Sequence, residues 1–512
     1  MSCYWNEAKY QEQVISEYQG NPLIEALPEI WSNDSVVEQL SERADYNEGE
    51  RMLDAHYRVH CIQRLFHYFQ PLEQHVDIEQ RISRCIRQGY MKRNPNSKEY
   101  ARMLATGYDA LVEHSGIRLI GGTGSYASGF TIIGMSGVGK STAVEKILSL
   151  YPQCIRHTSY KGQQLVFTQV VWLKLDCPHD GSIKGLCFQF FEAVDRIMGT
   201  DYFARYSRAR YTVDVLMVLM VQLVNLYQIG LLVIDEIQHL SLAKGGGSEK
   251  MLNFFVTLVN TIGIPVVLIG TSKAMPILQS EFRQARRGSG QGDLLWDRMH
   301  NDVSWDVFVT SMWRYQWTRE KVPLSKEMKN ALYEESQGII DIAVKLYVML
   351  QIKAITTGKE TFRAKDFRVV ASEKLGLVKP MLDALRKGDK RKIQQYGDIS
   401  PISVDDYISA YTSKIESPIQ EKKPQEKVSV LEQAVLRMLE LGVEPTKAKQ
   451  LVSKVVLSKK NGVDVAEVVK EAYYHYVTQN APVEQKYEKD DLREQKNYEE
   501  MKTHGLIEQT EW

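Results

Sequence analysis

Residues 134–142 read GMSGVGKST, which fills the pattern G-x-x-x-x-G-K-[ST] with Gly134, Gly139, Lys140 and Ser141. These residue types at this spacing can hold a nucleotide polyphosphate. Glycines let backbone N–H groups turn inward with no Cβ in the way, and a helix starting there adds the positive end of its dipole. The loop residues Gly134, Ser136, Gly137, Val138 and Gly139, with Thr142 after them, would wrap the phosphates. Lys140 would reach the β- and γ-phosphates, and the Ser141 hydroxyl would ligate Mg²⁺.

A second motif lies downstream in LLVIDEIQHL, residues 231–240. Four apolar residues predict a buried parallel strand with two carboxylates at its C-terminal end, where open α/β sheets bind ligands. Asp235 would hold Mg²⁺, and Glu236 would polarise an attacking water. A third piece, IPVVLIGTS, ends a strand in Thr271 and Ser272. A hydroxyl there, Thr271 ahead of Ser272, can sense the γ-phosphate; the competing reading is a cap on the next helix. The cluster EFRQARRGSGQG then offers Arg283, Arg286 and Arg287 to neutralise developing phosphate charge. Arg286 and Arg287 are preferred, acting from a neighbouring subunit; the other reading is a basic helix end complementing its dipole.

These groups need a sheet to hold them. Strand and helix patterns alternate from 76 to 310, which predicts an α/β domain with a parallel sheet and strands at 130–133, 169–175, 231–234 and 264–270. Patterns over 311–398 are helical and suggest a lid. Residues 1–75 read as a recruiting segment, 399–428 as a linker, 429–480 as a small helical module and 481–512 as a charged tail.

Bulk properties bound the partners. Lys plus Arg equals Asp plus Glu at 64 each, so attraction to nucleic acid has to come from local clusters. From Arg81 to Arg118, eight basic residues (81, 84, 87, 92, 93, 98, 102 and 118) stand against three acidic ones. Lys161 and Lys184 lie in loops placed to meet DNA phosphates without reading sequence, or read equally as ordinary surface lysines. Six scattered cysteines suit a reducing cytosol, and the first residues lack the apolar core of a signal peptide. The apolar stretch 215–234 carries Gln222, Asn225 and Gln228, and it reads as a buried helix running into the carboxylate strand rather than a membrane span.

Taken together, the phosphate loop, the DE strand, the threonine, the Arg-Arg pair and the helical lid have the layout of AAA+ ATPases. The phrases NPLIEALP, RISRCIRQGYMKRNP, LKLDCPHDGSIK, LLVIDEIQHL and ARRGSGQG resemble the TnsC family over residues 14–398, and DDLR…MKTHGLI does so again in the tail. That resemblance implies an AAA+ P-loop domain with a helical lid and helical extensions at both ends. It implies a bacterial cytoplasmic, nucleoid-associated regulator of DNA transposition that binds ATP and Mg²⁺ and assembles as a homo-oligomeric ring or spiral on double-stranded DNA. Its partners would be TnsA-like and TnsB-like transposase subunits and a TnsD/TniQ-like target selector, with no membrane. Leu492, Leu506 and Ile507 would anchor the tail on a transposase subunit; a solubilising tail is the other reading. Where many AAA+ lids carry an arginine, this chain has Asp341, with Lys345 as a substitute or as a solvated lysine. Two further functions fit the same motifs: a helicase-loader or replication-initiator ATPase, and a nucleotide-gated scaffold that barely hydrolyses.

Overall fold

A computed structural model describes residues 5–41, 44–98, 100, 129–208, 211–242, 264–275, 292–389, 430–458 and 464–480. The chain divides into two units, Met1–Glu416 and Ser417–Trp512.

The first unit opens with β1 (Asn6–Glu7), α1 (Pro22–Glu25), α2 (Asn33–Leu40), α3 (Ala55–Ile62) and α4 (Glu73–Met91). Then come β2 (Phe130–Gly134), α5 (Lys140–Ser149), β3 (Cys154–Tyr160), β4 (Gln163–Val170), β5 (Trp172–Asp176), α6 (Ile183–Met198), α7 (Tyr202–Arg208), α8 (Val213–Leu226), β6 (Leu231–Asp235), β7 (Val266–Gly270) and β8 (Asp293–Trp296). Among the described residues of the unit, five helices follow: α9 (Val303–Met312), α10 (Lys326–Ser336), α11 (Ile340–Thr356), α12 (Ala364–Lys374) and α13 (Lys379–Lys387).

The central sheet runs β5-β6-β7-β2-β8, parallel throughout. Strands β2, β6 and β7 are buried at every residue, as a sheet covered on both faces requires. Successive side chains point to opposite faces, and the core divides accordingly. Ile132, Val233 and Ile269 join Ile82 and Ile86 of α4 and Val144 and Ile147 of α5. Ile133, Ile234 and Leu268 join Phe190 and Phe191 of α6 and Leu216 and Met220 of α8. The apolar stretch 215–234 is therefore a helix, a short connection and β6, and no helix among the described residues is long and apolar enough to cross a membrane.

The expected strand at 169–175 is two strands on two sheets. β4 ends at Val170 and pairs antiparallel with β3, and β1 adds to β3 in parallel. The β3–β4 turn holds Lys161 and Gly162 at φ +48° and +78°, a two-residue hairpin whose positive φ values match strand twist. β7 begins at Val266 rather than at residue 264, because Pro265 has no N–H to give the ladder. β8 was absent from the sequence expectation; four residues are too few to show a period.

The described residues before 76 pack closely on the sheet and on the helices after β8. Leu23, Ile24 and Val36 enter the core beneath β2. Cys61, Ile62 and Leu65 enter the helical core built by Trp305, Trp317, Tyr347 and Phe367. Buried Arg58 grips both Glu360 oxygens at 2.6 and 2.7 Å and donates to the Trp317 carbonyl at 2.9 Å. The described residues of the second unit form three helices, α14 (Val430–Glu440), α15 (Pro445–Ser458) and α16 (Val465–Asn480), closed around Ala434, Met438, Val452 and Val468.

Burial pushes the Glu360 carboxyl up, but the Arg58 guanidinium and the Arg319 N–H outweigh it and hold its pKa below the ordinary 4.5. A depressed carboxylate stabilises fully above its unfolded value and loses that contribution as pH falls through the folded one. Arg58→Ala should therefore cost about 2 kcal/mol near neutral pH. Thermal unfolding measured between pH 7 and pH 3 should show the wild-type advantage shrinking below the ordinary carboxylate range; an equal gap at every pH would exclude this ion pair as its source.

Candidate nucleotide site

The site forms at the C-terminal ends of β2, β6 and β7. β2 delivers the loop. Its last residue, Gly134, lies so close to β8 that a Cβ would sit 2.1 Å from the Trp296 carbonyl oxygen. Gly137 and Gly139 take φ +79° and +99°, conformations open to glycine, and Gly139 caps α5. Val138 is buried, and it anchors the loop in the core with Ala143 and Val144. Lys140 is buried, its Nζ 3.0 Å from the Gly134 oxygen and 2.7 Å from the Met135 oxygen, so its ammonium lies across the loop. Ser136 and Ser141 are half-buried, and the Thr142 side chain is exposed in the first turn of α5.

β6 ends in buried Asp235. One oxygen accepts the Glu236 N–H at 2.8 Å, and the other lies 3.4 Å from Lys174 Nζ. Lys174, on β5, also reaches Glu145 of α5 at 2.5 Å. Burial alone would lower this ammonium, but Glu145 and Asp235 together raise its pKa. Asp235 thus already faces a cation, and with the Ser141 hydroxyl it offers the hard oxygen donors that suit Mg²⁺. Glu236 is exposed at φ +57°, turned out of the strand line.

Thr271 comes directly after β7, the strand lying between the loop strand and the carboxylate strand. It is buried, and its side chain makes no capping bond to the short helix after it; Ser272 is half-buried. Gln238 links the two motifs. Its amide nitrogen donates to Glu236 Oε2, and its oxygen accepts the Thr271 N–H at 3.0 Å. Beyond it, His239 Nδ1 lies 3.0 Å from the Cys177 carbonyl oxygen. Burial pushes the Cys177 thiol up to about 12, which keeps it unreactive.

The helices after β8 touch the loop directly. The Asp341 N–H, in the first turn of α11, donates to the Gly137 oxygen at 3.2 Å, and Ile339 Cγ2 would lie 3.2 Å from a Cβ at Gly137. Lys345 is buried and paired with Asp341 at 2.7 Å, so it is not the solvated lysine that helical spacing allowed. Arg298, just past β8, donates to the Gln337 carbonyl and side chain at 2.9 Å each. Sequence reasoning missed Lys174, Gln238 and Arg298, which lie outside any named motif; for Gln238 the signal was its place two residues after Glu236.

Arg283, Arg286, Arg287, Leu492, Leu506 and Ile507 lie outside the described residues, as do Arg102 and Arg118. Of the basic run, Arg87 and Arg93 are buried and bonded to backbone carbonyls, which removes them from a phosphate-binding surface. Lys161 sits at the hairpin turn of the second sheet rather than on a loop of the parallel one, 3.8 Å from Glu25 and over the Tyr160 ring. Lys184 lies in the first turn of α6, beyond the end of β5, over the Phe188 ring.

Residues 123–278 match the family model of an AAA domain. This is an AAA-type P-loop fold. No match is found among curated proteins. Solved structures similar to the chain include ORC1 of Aeropyrum pernix in complex with DNA, at 14% identity over 75% of this chain and 83% of that one, TM-score 0.33. ORC2 of Aeropyrum pernix, in ADPNP–ADP complexes, stands at 11% over 81% and 88%, TM-score 0.33. Cdc6p of Pyrobaculum aerophilum stands at 12% over 82% and 89%, TM-score 0.29.

Lys140→Ala removes the cation from the loop while leaving the glycines and the helix terminus. Binding of a fluorescent ATP analogue should weaken by about tenfold or more; wild-type affinity would show that the loop does not hold the triphosphate.

Proposed function

We propose that this protein is an ATP-hydrolysing, DNA-binding regulator of transposition of the TnsC kind. It assembles as a ring or spiral on target duplex DNA and links a TnsD/TniQ-like target selector to TnsA-like and TnsB-like transposase subunits. ATP hydrolysis then resets it. The observation that carries the hydrolytic part is the meeting of Glu236 and Thr271 through Gln238 beside the AAA domain's phosphate loop. A chain that used nucleotide only as structural ballast would need no exposed carboxylate held there. The transposition part rests on the sequence phrases that resemble that family over residues 14–398.

In this reading Lys140 holds the β- and γ-phosphates, and Ser141 and Asp235 hold Mg²⁺, which when bound neutralises phosphate charge. Glu236 takes a proton from the attacking water. Thr271 senses the γ-phosphate, and Arg286 and Arg287 of a neighbouring subunit complete the charge stabilisation. Lys184 meets DNA phosphates, so binding should weaken as salt rises.

Glu236→Gln keeps the shape and loses the base. It should bind ATP, hydrolyse it about a hundredfold more slowly or worse, and persist on duplex DNA in ATP where the wild type dissociates. Wild-type turnover in this variant would remove Glu236 from the chemistry, and ATP-independent DNA binding would remove the assembly step.

The tail gives a separate test of the partner assignment. A chain lacking residues 484–512 should hydrolyse ATP and bind DNA as the full chain does, but should no longer co-purify with a TnsA-like subunit. Undiminished co-purification would place that contact elsewhere.

A further inference from the structure

We infer that Gln238 is a positioning residue for hydrolysis, a two-ended clamp that fixes the Glu236 carboxylate against the end of the Thr271 strand; this rests on the hydrolytic reading above. Chemistry fixes the orientation of the amide. The Thr271 backbone N–H can only donate, so the Gln238 oxygen faces it at 3.0 Å. The ionised Glu236 carboxylate can only accept, so the Gln238 nitrogen faces that. Of the uncharged side chains long enough to span the gap, glutamine carries a donor and an acceptor at its tip.

The surroundings are shaped for this amide. Gln238 is 4% exposed, whereas the carboxylate it holds is exposed. An exposed glutamate keeps several rotamers unless something fixes it, and a base displaced by a fraction of an ångström loses much of its effect. The turn carrying Gln238 crosses the end of β7 at Gly270, where a Cβ would lie 2.5 Å from Ile237 Cγ1 and 3.0 Å from Gln238 Oε1. A side chain at Gly270 would meet the Ile237 and Gln238 side chains. The same turn is secured on its other side by His239 at the Cys177 carbonyl. The clamp joins the strand beside the phosphate loop to the carboxylate, so a shift of Thr271 is carried to Glu236 through one side chain.

Two substitutions separate the ends of the clamp. Gln238→Glu keeps the acceptor for Thr271 but sets a carboxylate against Glu236. Gln238→Met keeps the length and loses both bonds. Each should lower kcat by about tenfold to a hundredfold, with KM for ATP and fluorescent-nucleotide affinity within twofold of wild type. Single-turnover rates in a Glu236→Ala background should then show no further loss from Gln238→Met, since the clamp acts through the missing carboxylate. A folded Gln238→Glu protein with wild-type kcat overturns the inference, as does an equal loss in the Glu236→Ala background, which marks a purely structural glutamine. If Gln238→Met fails to fold, Gln238→Glu alone decides. A wild-type protein that does not hydrolyse ATP defeats the hydrolytic reading itself, whereas turnover unaffected by either variant defeats only the clamp.

Discussion

A loop of backbone N–H groups can hold phosphate only if the strand feeding it does not move. Here that strand is β2, fully buried and hydrogen-bonded on both sides, to β7 and to β8. The constraint reaches its last residue, since Gly134 leaves no room for a side chain beneath the Trp296 carbonyl. The rest of the site is referred to this fixed point. β7 brings Thr271 from next door, and β6, one strand farther, brings Asp235 and Glu236. Because the order is β6-β7-β2, the carboxylates and the loop are spaced by one strand, about 4.8 Å from each neighbour.

Much of this was legible in the residues themselves, because the determinants were local. A glycine pair, a lysine and a hydroxyl at fixed spacing after an apolar run give a strand, a loop and a helix. Four apolar residues ending in Asp-Glu give a buried strand with its carboxylates at the ligand edge. What was not legible depended on contacts between distant segments. β8 is too short to show a period, and it exists as a strand because β2 has a free side to pair. The run 169–175 hid a change of sheet at Val171, since apolar residues continue without interruption from Val170 to Leu173 across the break. Helical spacing allowed Lys345 to be solvated as readily as to serve the phosphate, but α11 is packed around most of its circumference, so position on the helix did not predict exposure. Arg87 and Arg93 looked like part of a basic surface, but their guanidinium groups serve carbonyls of neighbouring segments.

The helices after β8 are joined to the site at two places of different character. At Gly137 the contact is a backbone bond and the side of Ile339, and it leaves the loop little room to change shape without moving α11. At Gly338 the chain lies against Met299, three residues past β8, with φ +76° and the Met299 oxygen 2.0 Å from where a Cβ would lie, while Arg298 binds Gln337 beside it.

The N-terminal arm bears on how the domain can be handled as an object. Leu23 and Ile24 fill one face under the sheet, and Ile62 and Leu65 fill a different core among the helices. The arm is thus a strap crossing two compartments. Cutting the chain at residue 123, where the family match begins, would strip the lining from both at once and leave Phe130, Ile132 and Trp317 facing water. The AAA domain here is not a cassette that can be lifted out and moved. Any truncation on that side strips the lining of two cores before it reaches the site itself.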